Sequence, residues 1–412
     1  MSPAILALLA LLLTIAIAYV RKVNTGILGI GFAFLIGVFV LGLSGKEVLK
    51  GFPVSIFLTL SGMMLLFSIA RQNGSLDVLT SRVLALVGTR LYLLPVVFFL
   101  LSGILSFVGP GPVVMVAIMA PLALSVGGKE RISDLLMGLS VISGCLAGGL
   151  YRITASGYIA YSLGQEVGIS NYTPVFLGMA ATGLLEFLAA YILLGGYRLK
   201  KTSNEREALP PVGRTQGLTL LILLVTVLSI MVFKTDIALT AYAAAGLLLV
   251  LGLAEEKAAI SGVGWSTLLL VCGMGLLVHV IDEAGGIAML SETLSRIMTP
   301  RTATSFMIVV SGLMSGVSSA SGVVMPTLIP TIPGIVSSMG GTVDPILLLT
   351  GIVVGSHTVT ASPLSTLGAM TLGSANSYTD KNRFFLQLLL IAIAAVLLSA
   401  VFAYLGFYTL FH

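Results

Sequence analysis

The chain has 412 residues, 57% of them hydrophobic and 9% charged, with a formal net charge of +5 and a mean hydropathy of +1.10. Soluble proteins carry about 25% charged residues, so this composition excludes a soluble globular protein. Nor does the positive charge call for a nucleic-acid partner, because the positions of the charges account for it.

Apolar stretches of the ~20 residues a spanning helix needs recur from end to end, which predicts an all-α polytopic membrane protein. In chain order the segments fall at about 3–20, 26–43, 54–70, 91–108 with 113–126, 136–160, 174–196, 217–233, 237–254, 265–281, 304–317 with 323–336, 346–372, and 384–410. No basic residue precedes the first segment and Arg21-Lys22 follow it, so it reads as a span rather than a signal peptide. Cys145 and Cys272 both lie in apolar segments and suggest neither a disulfide nor a metal framework.

Two of these segments, 91–126 and 304–336, read as hairpins that enter and leave on one side. With that assignment the loops at 21–25, 71–90, 127–135, 197–216, 255–264 and 373–383 share a side and hold 15 of the 21 Lys and Arg. The opposite loops hold Lys46, Lys50, Lys234, Arg296 and Arg301, and Arg152 lies inside a span. By the positive-inside rule the richer side is cytoplasmic. Both termini then face outward, and the chain is expected in the cell (bacterial inner) membrane.

The sequence also repeats itself. "GFPVSIFLTLSGMMLLFSIARQNG" from Gly51 matches "GVGWSTLLLVCGMGLLVHVIDEAG" from Gly262. "SGILSFVGPGPVVMVAIMAP" from Ser102 matches "SGLMSGVSSASGVVMPTLIP" from Ser311. "GGLYRITASG" from Gly148 matches "VGSHTVTASP" from Val354. Each half holds five full spans plus one re-entrant hairpin. Five is odd, so the second half is inserted upside down. The expected organisation is a first repeat over 1–196, a cytoplasmic linker over 197–216 and an inverted second repeat over 217–412. Inverted repeats with paired broken helices are transporter architecture.

The backbone breaks place the expected site. Gly109-Pro110-Gly111-Pro112 cannot continue a helix, and Ser318–Gly322 is its counterpart. Breaks are also expected in the following spans, near 153–157 and 359–363. Non-helical backbone at membrane depth persists only where protein buries it or a cavity wets it. Four breaks meeting there would offer amide N–H groups to an anion and carbonyls and hydroxyls to a small cation. The candidate substrate-binding residues are Gly109, Pro110, Gly111, Arg152, Thr154, Ser156, Ser318, Ser319, Ser321, His357, Thr360 and Ser362.

The hairpin stretch, "GFPVSIFLTLSG…FSIARQNGSLD" and "SGCLAGGLYRITASGYI" resemble the malonate/dicarboxylate carrier family (MatC-like) of the ion-transporter superfamily, which also holds the divalent anion/sodium symporters. The closer likeness covers about 1–200. It implies a homodimeric, elevator-type secondary carrier of small dicarboxylates such as malonate or succinate. In the symporters each tip reads Ser-Asn-Thr; here the tips read Gly109-Pro110-Gly111 and Ser318-Ser319-Ala320, without the Asn. The connecting segments 71–90 and 282–303 are amphipathic, with Leu76, Leu79, Val83 and Leu86 on one stripe. In the resemblance they are the arms that join a fixed scaffold to a moving domain.

Ionisable residues inside a membrane are costly and usually functional. Arg152 either holds a substrate carboxylate by a two-point contact, pairs with Glu186, or snorkels to the interface. Its replacement by alanine is expected to abolish dicarboxylate uptake if it binds substrate. Glu186, His357, Ser318 and Ser319 are candidate ion-coupling residues, for sodium or for protons. No other cofactor is expected. Another anion of the same superfamily is an alternative cargo, and a passive channel an alternative mode. A serine protease built on Ser321 and His357 is an enzyme alternative; its signal is weak because the repeat-equivalent position is proline. No HExxH, Cys/His cluster or phosphate loop is present.

Overall fold

The computed structural model describes residues 2–85, 90–109, 111–200 and 212–412, and every element in them is helical. The first half contains α1 (Pro3–Arg21), α2 (Thr25–Phe34), α3 (Gly45–Leu49), α4 (Val54–Gln72), α5 (Ser75–Ala85), α6 (Leu93–Val108), α7 (Gly111–Lys129), α8 (Asp134–Gly148), α9 (Ala155–Glu166) and α10 (Thr173–Leu193). The second contains α11 (Arg214–Val232), α12 (Ile237–Val250), α13 (Glu256–Ser261), α14 (Trp265–Glu283), α15 (Gly286–Ile297), α16 (Ala303–Val317), α17 (Met325–Leu328), α18 (Ile332–Ser338), α19 (Pro345–Thr358), α20 (Thr366–Gly373) and α21 (Lys381–Tyr404). Among the described residues, eight helical stretches are long and apolar enough to cross a membrane, and six shorter helices are also apolar. Large apolar side chains such as Leu12, Phe39, Leu193, Val250, Leu313 and Leu405 stay exposed on their outer faces. A water-facing surface would not carry so much apolar area; this is a multi-pass membrane protein.

Local chemistry sets the helix boundaries. The Ser2 hydroxyl accepts from the Ile5 amide at the start of α1, and Pro3 occupies the first turn, where its missing N–H leaves nothing unpaired. Ser44 and Glu47 cap α3 reciprocally. The two amphipathic connecting segments form α5 and α15, each opening just after a positive-φ glycine, Gly74 (+75°) and Gly285 (+77°). Residues 86–89 of the first arm, with Leu86, lie outside the described residues, as do 201–211 of the linker.

The helices sort into two groups. In one, α2 packs on α14 and α4 on α12, pairing each half with the other. In the other, α6 packs on α8 and α16 on α19, while α10 bridges α8 and α19. Between apolar helices in lipid, close approach replaces the hydrophobic drive, so small residues mark the crossings. A Cβ on Gly148 would strike the Gly103 carbonyl of α6, and one on Gly355 would strike the Ile308 carbonyl of α16. The two crossings are built alike. A reciprocal contact occurs in the first group: Gly51 abuts the His279 ring, and Gly262 abuts Ser68.

A polar clamp joins the halves. Asp134, buried at the start of α8, accepts from the Asn376 amide (2.8 Å), the Asn376 side chain (2.6 Å) and the Thr379 hydroxyl (2.6 Å). Its carboxylate is thereby satisfied without a cation.

Candidate functional site

The four expected interruptions are present and meet. The first hairpin turns between α6 and α7; Pro110 at its tip lies outside the described residues. Gly111, at φ +78°, takes a left-handed backbone that favours glycine, and it packs on Ala155. The second tip is narrower than the expected Ser318–Gly322. Only Ser318 and Ser319 are extended, and Ala320–Val324 already form a π-turn leading into α17. The first of the following breaks lies earlier than the expected 153–157: it runs over residues 149–154, and Ala155–Gly157 already belong to α9, whose N-cap is Thr154; the second runs over 359–365, between α19 and α20, beginning with a single 3-10 turn.

Direct contacts tie these pieces together. The Ala155 amide donates to the Gly109 carbonyl at 3.2 Å, fixing the first tip to the first break. The Ser321 hydroxyl, in the π-turn just past the second tip, donates to Ser156 in the first turn of α9 at 3.0 Å, tying the second tip region to the helix that follows the first break. Ser321 Oγ also lies 3.5 Å from His357 Nε2, at the outer limit of a hydrogen bond. The Ser315 hydroxyl donates to the Ser356 carbonyl at 2.7 Å, holding the second hairpin against α19.

Several predicted hydroxyls serve this broken backbone. Thr154 donates to the Gly149 and Tyr151 carbonyls and accepts from the Gly157 amide, so it caps α9. Ser318 donates to the Met314 carbonyl, and Ser319 accepts from the Gly322 amide. Thr360 donates to the His357 carbonyl, and Ser362 accepts from the Leu364 amide. These bonds satisfy backbone groups that no continuous helix would pair.

A cavity of about 300 Å3 opens where the pieces converge. Of the predicted residues it is lined by Ser156, Ser319, Ser321, His357 and Thr360. Gly109, Gly111, Thr154, Ser318 and Ser362 support its walls without lining it. Arg152 is exposed and outside the lining. Among the described residues no ion pair joins it to Glu186, and Glu186 Oε1 is buried without a hydrogen-bond partner. Glu186 instead lines a separate, apolar cavity of about 460 Å3 that touches Thr358.

The cation of the central cavity is Arg71, which sequence reading assigned to the first arm. It belongs to the last turn of α4, because the arm helix begins only at Ser75. Ser68, Thr267, Ser365 and Thr366 add polar groups that sequence reading also missed. One signal pointed to Arg71: the repeat offset of 211 pairs it with Asp282, another charge at the end of an apolar helix. Asp282 lines a second cavity of about 590 Å3 with Lys50, Glu166, His279 and Pro326. The two cavities therefore use matching positions of the two halves: Ser68, Arg71 and Gly262 in one, His279, Asp282 and Gly51 in the other.

A serine beside a histidine invites a nucleophile reading. Here the Ser321 proton goes to Ser156, and His357 Nδ1 is oriented by the Val353 carbonyl, 3.0 Å away, rather than by a carboxylate. A hydrolase triad needs that third partner. Among the described residues no three His, Cys, Asp or Glu side chains gather as a metal site.

No curated protein sequence matches the chain. A crystal structure of the Alcanivorax borkumensis YdaH transporter matches over 99% of both chains, with a TM-score of 0.58 and 16% sequence identity, so the two share a fold. The first third of the sequence is recognised more specifically: residues 1–149 match the family described as dicarboxylate carrier protein MatC, N-terminus, so this part of the chain is MatC-like, in line with the resemblance read from its motifs.

Proposed function

We propose that the protein is a secondary carrier of small organic anions, with C3 and C4 dicarboxylates as cargo, and not an enzyme. The observation that carries this reading is the cavity at the meeting point of four helix interruptions, which holds one arginine, one histidine and a set of hydroxyls. Such a site offers charge-assisted donors to carboxylates. The match of residues 1–149 to a dicarboxylate carrier family supports the same cargo.

The chain works as two inverted repeats, 1–196 and 217–412, joined by a cytoplasmic linker. The like crossings at Gly148 and Gly355, the reciprocal Gly51–His279 and Gly262–Ser68 contacts, and the paired glycines at 74 and 285 support that symmetry. With the basic loops inside, Arg71 lies at the cytoplasmic end of α4. The central cavity then faces the cytoplasm, and the 590 Å3 cavity is its outward counterpart. Alternating access moves the body of α6–α10 and α16–α21 as an elevator against the scaffold of α1–α4 and α11–α14, with α5 and α15 as arms. The carrier functions as a homodimer, coupled to sodium or protons.

Uptake of labelled malonate and succinate into proteoliposomes, under imposed sodium, proton or counter-substrate gradients, tests this reading. Saturable uptake of either acid is the expected result. Transport of only another anion, such as sulfate, replaces the cargo; conductance without counterflow replaces the carrier by a channel.

A further inference from the structure

We infer that His357 is the proton-binding site of the carrier and takes up one proton as a dianion enters the cavity. The inference rests on the anion-carrier reading above and deepens it by naming the coupling ion.

The imidazole has one committed nitrogen and one free to change. Nδ1 lies 3.0 Å from the Val353 carbonyl, which can only accept, so Nδ1 carries a hydrogen in either protonation state. The Ser356 hydroxyl, 3.1 Å from the same nitrogen, adds a second contact on that side. Nε2 is the other end, directed at Ser321 and at the cavity.

The hydroxyl pair beyond it suits both states. With a neutral ring, Nε2 bears a lone pair, and Ser321 turns its proton toward it in place of Ser156. With a charged ring, Nε2–H donates to Ser321, whose proton then points at Ser156, 3.0 Å away. One rotation of the Ser321 hydroxyl exchanges the two arrangements.

Charge balance supplies the reason for the proton. A dicarboxylate brings two negative charges. Among the described lining residues Arg71 is the one permanent cation, and His357 is the only other ionisable group. A carboxylate placed against the Nε2 lone pair is repelled; placed against Nε2–H it gains a charge-assisted hydrogen bond. Groups on the neighbouring helices do not supply this charge. α16, α17, α18, α20, the π-turn Ala320–Val324 and the 3-10 turn Val359–Ala361 carry no ionisable side chain. On α10, Glu186 borders the separate cavity that touches Thr358, and Tyr191 follows further along the helix. On α21, Lys381 and Arg383 lie in the first turn and Tyr404 is the last residue; beyond it, Tyr408 bonds Thr182. The proton enters with the substrate from the open side and leaves with it on the other.

The test is calorimetric titration of succinate into the purified full-length protein, in buffers of different ionisation enthalpy. The expected wild-type result is about one proton taken up per succinate. Affinity should tighten about tenfold per pH unit lowered, across the range where the free ring is neutral and the bound ring charged. His357→Gln should bind with no proton uptake and a flat pH dependence. Wild-type binding without proton uptake overturns the inference while the carrier reading stands. No binding of succinate or malonate at any pH removes both. Proton uptake that persists in His357→Gln moves the site elsewhere. Should that variant fail to fold, Ser321→Ala must shift the pH midpoint of binding, because its hydroxyl serves Nε2 in both states; an unshifted midpoint overturns the assignment.

Discussion

The Ser321 hydroxyl donates to Ser156 across 3.0 Å, and this one bond joins the second hairpin tip to the first broken helix over a separation of 165 residues. A bond between two binding elements makes them act as a unit, so their variants should not add. Ser156→Ala and Ser321→Ala are each expected to weaken succinate binding. The double variant should lose less than the sum, by about 1 kcal/mol. A double-variant cycle of binding constants checks this; strict additivity would mean that the two hydroxyls act separately.

Arg71 and Arg152 separate two ways of holding an anion. Arg71 lines the cavity and Arg152 does not. Loss of a charge-assisted contact costs about 2 kcal/mol, which is roughly thirtyfold in affinity. Arg71→Gln is therefore expected to lower succinate affinity about thirtyfold, whereas Arg152→Gln leaves it near wild type. Equilibrium binding in detergent measures both, and the reverse order would return the substrate to Arg152.

Cysteine labelling reads which side the cavity faces. The native Cys145 and Cys272 are buried, which leaves a quiet background. Ser68→Cys and Thr366→Cys should react with an impermeant maleimide applied to the cytoplasmic face, and succinate should protect them. His279→Cys should react only from outside. Labelling of Ser68→Cys from outside alone would reverse the assigned orientation.

The close helix crossings set stability. At Gly148 there is no room for a side chain, because the Gly103 carbonyl occupies the place of a Cβ. Gly148→Val is expected to lower stability by at least 1–3 kcal/mol, roughly the range for overpacking, and Gly355→Val should behave alike. Gly246, with open space where its Cβ would stand, is the control. Thermal unfolding in detergent gives the comparison.

Much of this fold was legible because membranes impose simple rules. The hairpins appear within a few residues of where proline, glycine and serine interrupt apolar runs, and the breaks near Thr154 and Thr360 lie close to the repeated "TAS" segments. Local features hid in plain composition. α13 is a short helix with no spanning signal, and α3 was passed over despite a Ser44/Glu47 capping pattern. Arg71 was misplaced because amphipathic periodicity runs on through Asn73-Gly74, where the positive φ of Gly74 separates α4 from α5. The Asp134–Asn376 clamp was illegible in principle: one sequence carries no sign that two polar residues 242 positions apart will meet.

That clamp, with the exchanged pairing of α2 on α14 and α4 on α12, bears on how the protein is made. A ribosome finishes α8 long before it reaches Asn376. At about 5–20 residues per second the interval is roughly 10–50 s. Throughout it the Asp134 carboxylate lacks its donors, and for the first part of it, until Tyr242 is made, the face of α4 at Gly62 is bare as well. The nascent first half thus dwells in the bilayer as an unfinished insertion intermediate with a bare acidic group and open helix faces. The donors that complete it arrive only with the final quarter of the chain.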